Sequence, residues 1–324
     1  MNTFGRHFRI NIFGESHGDI MGITLDHIPP GIKLDITDFQ TDIDRRKPGK
    51  KGTTPRKETD QPIFASGLFN GKTTGAPLTI LIENNNTRPS DYKETRAINR
   101  PGHADFVAHK KFKGFEDYRG GGHFSGRLTV LIVCAGVVAK KILNSISIKA
   151  ELIEIAGEKN LDKGLQKGID AKDSVGGIVE CRIKNVPIGW GEPFFDSVES
   201  IIAHAVFSIP AVRGIEFGTG FKATNMFGSE HNDTYLDGNG TTKTNHSGGI
   251  VGGVTNGNEL VFRIGIKPTS SIGKNQSSWN NKEKQIQDFK IKGRHDLCIA
   301  LRVPVVLEAV TAIALLDLKM QAVK

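Results

Sequence analysis

Apolar and polar residues are ordered along the chain in short alternating runs, which read as strands, and in a few stretches apolar on every face, which read as buried helices. Phe8 to Phe13 alternates as a half-buried strand does and ends in Gly14-Glu15-Ser16-His17-Gly18. Gly22 to Ile28 supplies the return strand, closed by Pro29-Pro30-Gly31. Gly75 to Ile82 reads as a buried strand ending in a polar cluster from Glu83 to Ser90. Ile148 to Ile155, Ile178 to Ile183 and Leu260 to Ile266 are further short alternating runs.

Thr37-Asp38-Phe39-Gln40 has the form of a capping box, with Thr37 as N-cap, opening a helix to about Arg46 before Pro48 stops it. Pro101 to Phe106 reads as a turn opening a helix that contains Val107 and Phe112, and Asp196-Ser197-Val198-Glu199 caps another that runs to about Ser208. Leu128 to about Leu143 and Pro304 to Met320 are apolar all round, so both belong in the middle of the structure. Sheets packed against central helices follow. Ser16 to Thr24 is faintly echoed by Asn245 to Thr255, which if meaningful makes two similar halves of one core. Residues 1–324 are therefore taken as a single domain.

With 37% hydrophobic and 24% charged residues, the composition is that of an ordinary globular protein. No apolar run has the length and flanks of a signal peptide or membrane span, and a cytoplasmic protein is expected. Cys134, Cys181 and Cys298 are an odd number, widely spaced, which indicates neither a disulfide framework nor a metal site. The formal charge of +8 admits nucleic acid, an anionic membrane or small polyanions as partners. Only two Trp and three Tyr are present and the cations are scattered among glycine-rich loops, which favours small anions in a pocket.

Candidate chemistry collects in those loops. Arg119-Gly120-Gly121-Gly122-His123-Phe124-Ser125-Gly126-Arg127 runs straight into the Leu128 helix, and its glycines and the N–H groups of the helix start suit a phosphate or carboxylate. A tight turn is the plainer reading. His17 at a strand end and His103 at a helix start are exposed positions for a general acid, or ordinary histidines. Lys267-Pro268-Thr269-Ser270-Ser271 joins a cation to three hydroxyls, and Gly293-Arg294-His295-Asp296 places an arginine and a carboxylate before the last helix. Lys47 to Asp60 is polar and basic without apolar period: a mobile loop that is either a solvated connection or a flap over an anionic ligand.

Gly14 to Gly18, Asp44-Arg45-Arg46-Lys47-Pro48-Gly49, Arg100-Pro101-Gly102-His103-Ala104-Asp105, Arg119 to Arg127, Lys267 to Ser271 and Gly293 to Asp296 occur in this order, and the ordered set closely resembles the chorismate synthase family over nearly the whole chain. The resemblance implies an α+β fold: a sandwich of central helices between two mostly antiparallel sheets, with internal duplication, assembled as a homotetramer. It implies a lyase that eliminates phosphate from 5-enolpyruvylshikimate 3-phosphate, using reduced FMN without net oxidation and relying on an external flavin reductant. Neither nucleic acid nor membrane is then a partner. By motif, His17 would protonate the departing phosphate, His103 would act near the flavin, and Asp296 would assist proton transfer there. Arg45, Arg46, Arg119, Arg127 and Arg294 would hold substrate anions. His123, Phe124, Ser125, Pro210, Ala211, Gly252, Lys267, Pro268, Thr269, Ser270, Ser271 and Arg294 would contact FMN, and Arg46 and Lys51 match positions that contact NADP.

Three stretches depart from the family pattern. His123-Phe124-Ser125-Gly126-Arg127 stands where some members have Arg-Ser-Ser-Ala-Arg, which replaces a cation by an imidazole and would make cofactor affinity pH-dependent. Lys50-Lys51-Gly52 is short and lacks an arginine, so Lys51 matches its position only approximately, and Gly157 to Gly176 is compact. A basic nucleic-acid-binding protein and an NADPH-using flavin reductase are the alternative readings.

Overall fold

Two helices without a polar face require neighbours on every side, and the rest of the chain supplies them as two sheets. The computed structural model describes residues 2–54, 59–84, 97–291 and 295–322. Of the polar cluster expected after the Gly75 strand, residues 85–90 lie outside that range, as do residues 55–58 of the polar loop and Arg294. The helices are α1 (Thr37–Arg46), α2 (Asp105–Lys111), α3 (Thr129–Ile142), α4 (Leu161–Ala171), α5 (Val198–Val206), α6 (Gly228–His231) and α7 (Val303–Ala322).

The first half of the chain forms strands β1 (Thr3–Phe4), β2 (Arg9–Phe13), β3 (Ile20–Asp26), β4 (Ile63–Ser66), β5 (Leu68–Phe69), β6 (Lys72–Thr73) and β7 (Leu78–Glu83). Five of them make an antiparallel sheet in the order β1-β2-β3-β7-β4, with Ile23 opposite both Ile12 and Ile80; β5 and β6 pair as a small hairpin. The second half forms β8 (Ser147–Ile155), β9 (Gly177–Lys184), β10 (Val212–Phe217), β11 (Ile250–Val251), β12 (Val254–Thr255), β13 (Leu260–Ile266), β14 (Asn275–Asn280) and β15 (Gln285–Lys290). Here the antiparallel sheet runs β10-β13-β9-β8, and β11–β12 and β14–β15 are separate hairpins. Alternation does its expected work: Leu78, Ile80 and Ile82 of β7 and Val179, Cys181 and Ile183 of β9 are buried.

Between the sheets lie α3 and α7. Every residue from Thr129 to Ala139 is buried, and so is every residue from Val305 to Leu318. The two helices cross where Gly136 faces Ala309: a Cβ on Gly136 would stand 2.4 Å from the Ala309 Cβ, so only glycine permits this approach. Counted with its leading 3₁₀ turn, the run Ile299–Ala322 is long and apolar enough to cross a bilayer, contrary to the expectation from sequence. Its burial among protein neighbours accounts for that composition.

Each half contributes one antiparallel sheet followed by one all-buried helix, which is the duplication the family resemblance implies. The faint echo in sequence marks something else. Ser16 to Thr24 leads into β3 of a main sheet, whereas Asn245 to Thr255 leads into the β11–β12 hairpin. The start of α1 also differs from the capping box. Asp35 accepts hydrogen bonds from the Thr37 N–H (2.9 Å) and hydroxyl (2.7 Å), while Gln40 donates to Asp44, because an aspartate two residues upstream reaches the helix start first.

Buried carboxylates lock the layers. Glu308 of α7 accepts two bonds from Arg45 of α1 (2.7 Å each), one from Lys140 of α3 (2.9 Å) and one from the Ala150 N–H of β8 (3.1 Å). Asp317 accepts from the backbone N–H groups of Arg6, His7 and Phe8. Burial alone would push the Glu308 carboxyl up, but Arg45, Lys140 and the Ala150 amide outweigh it and hold it below its ordinary 4.5. A depressed carboxylate contributes stability above its unfolded pKa and loses it as pH falls through the folded one. We therefore expect Glu308→Gln to lower stability at pH 7 by about 1–3 kcal/mol, the partial exposure of Arg45 and Lys140 screening the loss. The variant should also lose less stability than the parent as pH falls from 5 to 3, as read by urea unfolding at each pH.

Candidate active site

A cavity of about 2150 Å³ opens beside the sandwich, lined by the glycine-rich loop before α3, the start of α2, residues 208–211, residues 267–271 and Asp296. Pockets for one small ligand are commonly about 300–1,000 Å³, so this one has room for two.

The loop threads between two imidazoles. Gly120, Gly121 and Gly122 have φ of 58°, 85° and 52°, a left-handed run that glycine adopts without strain. A Cβ on Gly120 would lie 2.2 Å from His17 Cε1, and one on Gly121 3.4 Å from His103 Cε1. His17 is buried beside Ser16, whose Oγ is 2.8 Å from His17 Nδ1 and also reaches the carbonyls of Arg119 and Gly120. Carbonyls only accept, so the serine O–H goes to them and its lone pair takes the Nδ1–H. That choice leaves Nε2 as the atom that gains or gives a proton.

His103 is oriented by charge. Its Nδ1 lies 2.6 Å from Asp105, and Arg100 forms two 2.7 Å bonds to the same carboxylate. Burial would raise the Asp105 carboxyl, but hydrogen bonds from Arg100 and His103 and their charge overcome it and hold it far below its ordinary value. Asp105 therefore stays anionic throughout the neutral range.

On the facing wall, Lys267 Nζ and Ser270 Oγ both donate to the Gly102 carbonyl, Arg100 donates to Ser271 Oγ, and the Lys267 N–H is tied to the Ala211 carbonyl. Thr269 donates to the Asp296 carbonyl. The Asp296 carboxylate accepts from the Thr54 N–H (2.8 Å) and pairs with Arg302 (3.2 Å). The described part of the polar loop is tied to the segment before α7 and to itself: the Gly52 carbonyl accepts from the Leu297 and Cys298 amides, and the Gly49 N–H bonds to Thr53.

Arg46 and Arg127 converge on Asp60, whose side chain is fully buried. Arg127 lies 2.5 Å from Asp60 Oδ1 and Arg46 3.3 Å from Oδ2. Arg46 also donates to Thr129 Oγ1 and to the carbonyls of Gly126 and Arg127, so it ties down the start of α3. Ser125 caps the 3₁₀ turn Gly126–Leu128 that leads into α3, accepting from the Arg127 N–H.

Of the residues singled out from sequence, His103, His123, Phe124, Ser125, Arg46, Arg127, Pro210, Ala211, Lys267 to Ser271 and Asp296 line the cavity, and His17 sits behind Gly120. His123 is anchored by Nδ1 donating to the Gly14 carbonyl at 2.8 Å. Arg45, Arg119, Lys51 and Gly252 do not line it. Arg45 is spent on Glu308, Arg119 pairs with Asp117 at 2.8 Å, and Gly252 lies in the β11–β12 turn. Arg294 lies outside the described residues. Sequence reasoning missed Arg100 and Asp105, although both flank His103 in the quoted motif. It also missed Asp60, Thr54 and Asn84, which carry no local pattern.

Two oriented imidazoles, a pinned carboxylate and several cations around one large cavity define an acid–base enzyme for anionic ligands. A family model described as chorismate synthase matches residues 8–320. The chain is 65% identical to a chorismate synthase of Chitinophaga pinensis, over 98% of this chain and 96% of that one. It is 42% identical to a chorismate synthase of Methanocaldococcus jannaschii, again over 98% and 96%. A crystal structure of chorismate synthase shares the fold with a TM-score of 0.75, covering 98% of this chain and 93% of that one at 24% identity. The chain belongs to the chorismate synthase family, and with it to the lyases.

Because a methyl on Gly120 would collide with the His17 ring, Gly120→Ala should displace that imidazole without unfolding the core. We expect turnover to fall by at least about tenfold and by up to the roughly 10²-fold that a misplaced acid–base group can forfeit, with the far-UV circular dichroism unchanged.

Proposed function

We propose that this chain converts 5-enolpyruvylshikimate 3-phosphate to chorismate and inorganic phosphate, with reduced FMN bound beside the substrate. The observation that carries the proposal is a cavity of about 2150 Å³, large enough for two anionic ligands together, with the oriented His103 at its wall and His17 directly behind the lining Gly120. In the elimination the ring C–O bond to phosphate breaks, a ring proton is lost from the opposite face, and a second ring double bond forms. No oxidant is consumed.

His17 would deliver a proton from Nε2 to the leaving phosphate, with Ser16 steadying the imidazolium through Nδ1. Arg127 would hold a substrate anion. His103, kept in place by Asp105 and Arg100, would hold or move a proton at the flavin side, and Asp296, fixed between Thr54 and Arg302, would assist.

The residues present fit FMN. Lys267, Thr269, Ser270 and Ser271 offer a cation and hydroxyls along one wall, with Pro210, Ala211, His123, Phe124 and Ser125 around it. The Thr54 hydroxyl is buried at the cavity with no hydrogen-bond partner among the described residues, a group that a ligand would satisfy. Reduced flavin, when bound, supplies the electron that the elimination borrows and returns. We leave NADPH outside the proposal, since Arg46 is committed to the start of α3 and Lys51 does not line the cavity.

The working form we propose is a cytoplasmic homotetramer whose flavin is reduced by an external donor. Exposed Phe115, Phe194, Phe195, Phe221 and Phe227, between 78% and 91% accessible in one chain, support burial against further copies. Anaerobic incubation of the protein with substrate, FMN and dithionite should release phosphate, and an absence of release refutes the activity. His17→Ala and His103→Ala should each lower turnover by about 10²-fold or more while the protein stays folded; near-normal turnover in either would remove that histidine from the mechanism.

A further inference from the structure

Arg127 lines the cavity and its side chain is held from two sides, the second of which links it to the loop carrying His17. On the buried side stands Asp60. On the other, Arg127 Nε donates to Asn84 Oδ1 at 3.3 Å. Asn84 follows directly on β7, and its Nδ2 donates to the carbonyls of Glu15 (3.1 Å) and Gly18 (2.7 Å). Those two carbonyls flank Ser16 and His17. Because they can only accept, they fix which end of the amide is the NH₂, and that leaves Oδ1 turned toward the guanidinium. The Asn84 N–H adds a bond to the Asp19 carbonyl at 3.0 Å, so the backbone beneath the amide is held as well.

We propose that Asn84 is a positioning residue that yokes the anion-holding Arg127 to the loop carrying His17, with Asp60 as the fixed anchor on the far side of the same guanidinium. Asn84 does not line the cavity and touches no ligand there; it acts through its neighbours. An acid must stand at a set distance from the charge that holds its substrate. One planar amide, donating to one element and accepting from the other, sets that distance. An aspartate cannot do both, since it accepts but does not donate. An alanine can do neither.

The catalytic part of this inference rests on the proposed activity, whereas the mechanical part does not, and the test separates them. In ligand-free protein, hydrogen exchange read by mass spectrometry should be faster in Asn84→Ala across both residues 14–18 and residues 126–128. The β3 and α3 interiors, unchanged, report that the fold is intact. Faster exchange confined to the end of β7, or none at all, overturns the yoke. In steady-state kinetics, Asn84→Ala should raise KM for 5-enolpyruvylshikimate 3-phosphate about tenfold, the worth of a hydrogen bond to a charged group, and lower kcat as well. Asn84→Asp, which still accepts from Arg127, should keep KM within about twofold and lower kcat alone. In an Arg127→Ala background the KM effect of Asn84→Ala should vanish; an equal effect in both backgrounds overturns the proposal. If the parent protein shows no turnover, the activity is refuted while the exchange result still decides the yoke.

Discussion

The constraint on which everything else depends is that α3 and α7 have no face that can meet water. A helix of this kind buries apolar surface all round, at about 25 cal/mol per Å² removed from water, but only if other elements surround it. Each sheet covers one side of the pair, α1 and α5 close the edges, and Gly136 against Ala309 sets how near the two helices come. The active-site loops are what remains where this packing ends. The glycine-rich loop is the entrance to α3 and Asp296 lies just before the turn that opens α7, so the two groups are registered by the same helix pair.

Charge is treated in two ways in this chain. In the core each carboxylate is satisfied by several donors: Glu308 by Arg45 and Lys140, Asp317 by three backbone amides. Around the cavity, carboxylates instead orient basic side chains. Asp105 holds Arg100 and His103, and Asp60 stands between Arg46 and Arg127. A guanidinium already fixed by a carboxylate pays little entropy when an anionic ligand arrives. Preorganisation of this sort sharpens geometry at some expense in raw attraction.

The framework was largely legible because it is written in periodicity. Alternating runs became β2, β3, β7, β8, β9 and β13, and the two all-apolar stretches became the central helices. Local rules succeeded where only local atoms competed, as at Ser197, which caps α5 as expected. They failed at Thr37, where Asp35 was closer, and in the polar loop, whose pins on Leu297, Cys298 and Asp296 come from more than 240 residues away. The site was legible as a set of motifs, but motifs assign positions rather than partners. Arg45 and Arg46 are neighbours in sequence, yet a helix turns successive residues about 100° apart, so one reaches Glu308 on α7 and the other the start of α3. Asn84 and Asp60 matter through contacts that no spacing in the sequence announces.

The Asp317 carboxylate gathers the backbone of Arg6, His7 and Phe8 from 309 to 311 residues away. The segment between β1 and β2 is therefore fastened by a helix synthesised about 300 residues later. Until residues 303–318 emerge, α3 lacks its partner, the second sheet lacks the helix that packs on it, and the segment at residues 6–8 has no anchor. Such a chain cannot complete its core from the amino terminus onward during synthesis. The face of α3 that meets α7 and the inner face of the second sheet wait, exposed, for that helix, a long-range closure of the kind that slows folding and leaves apolar surface open to misassociation.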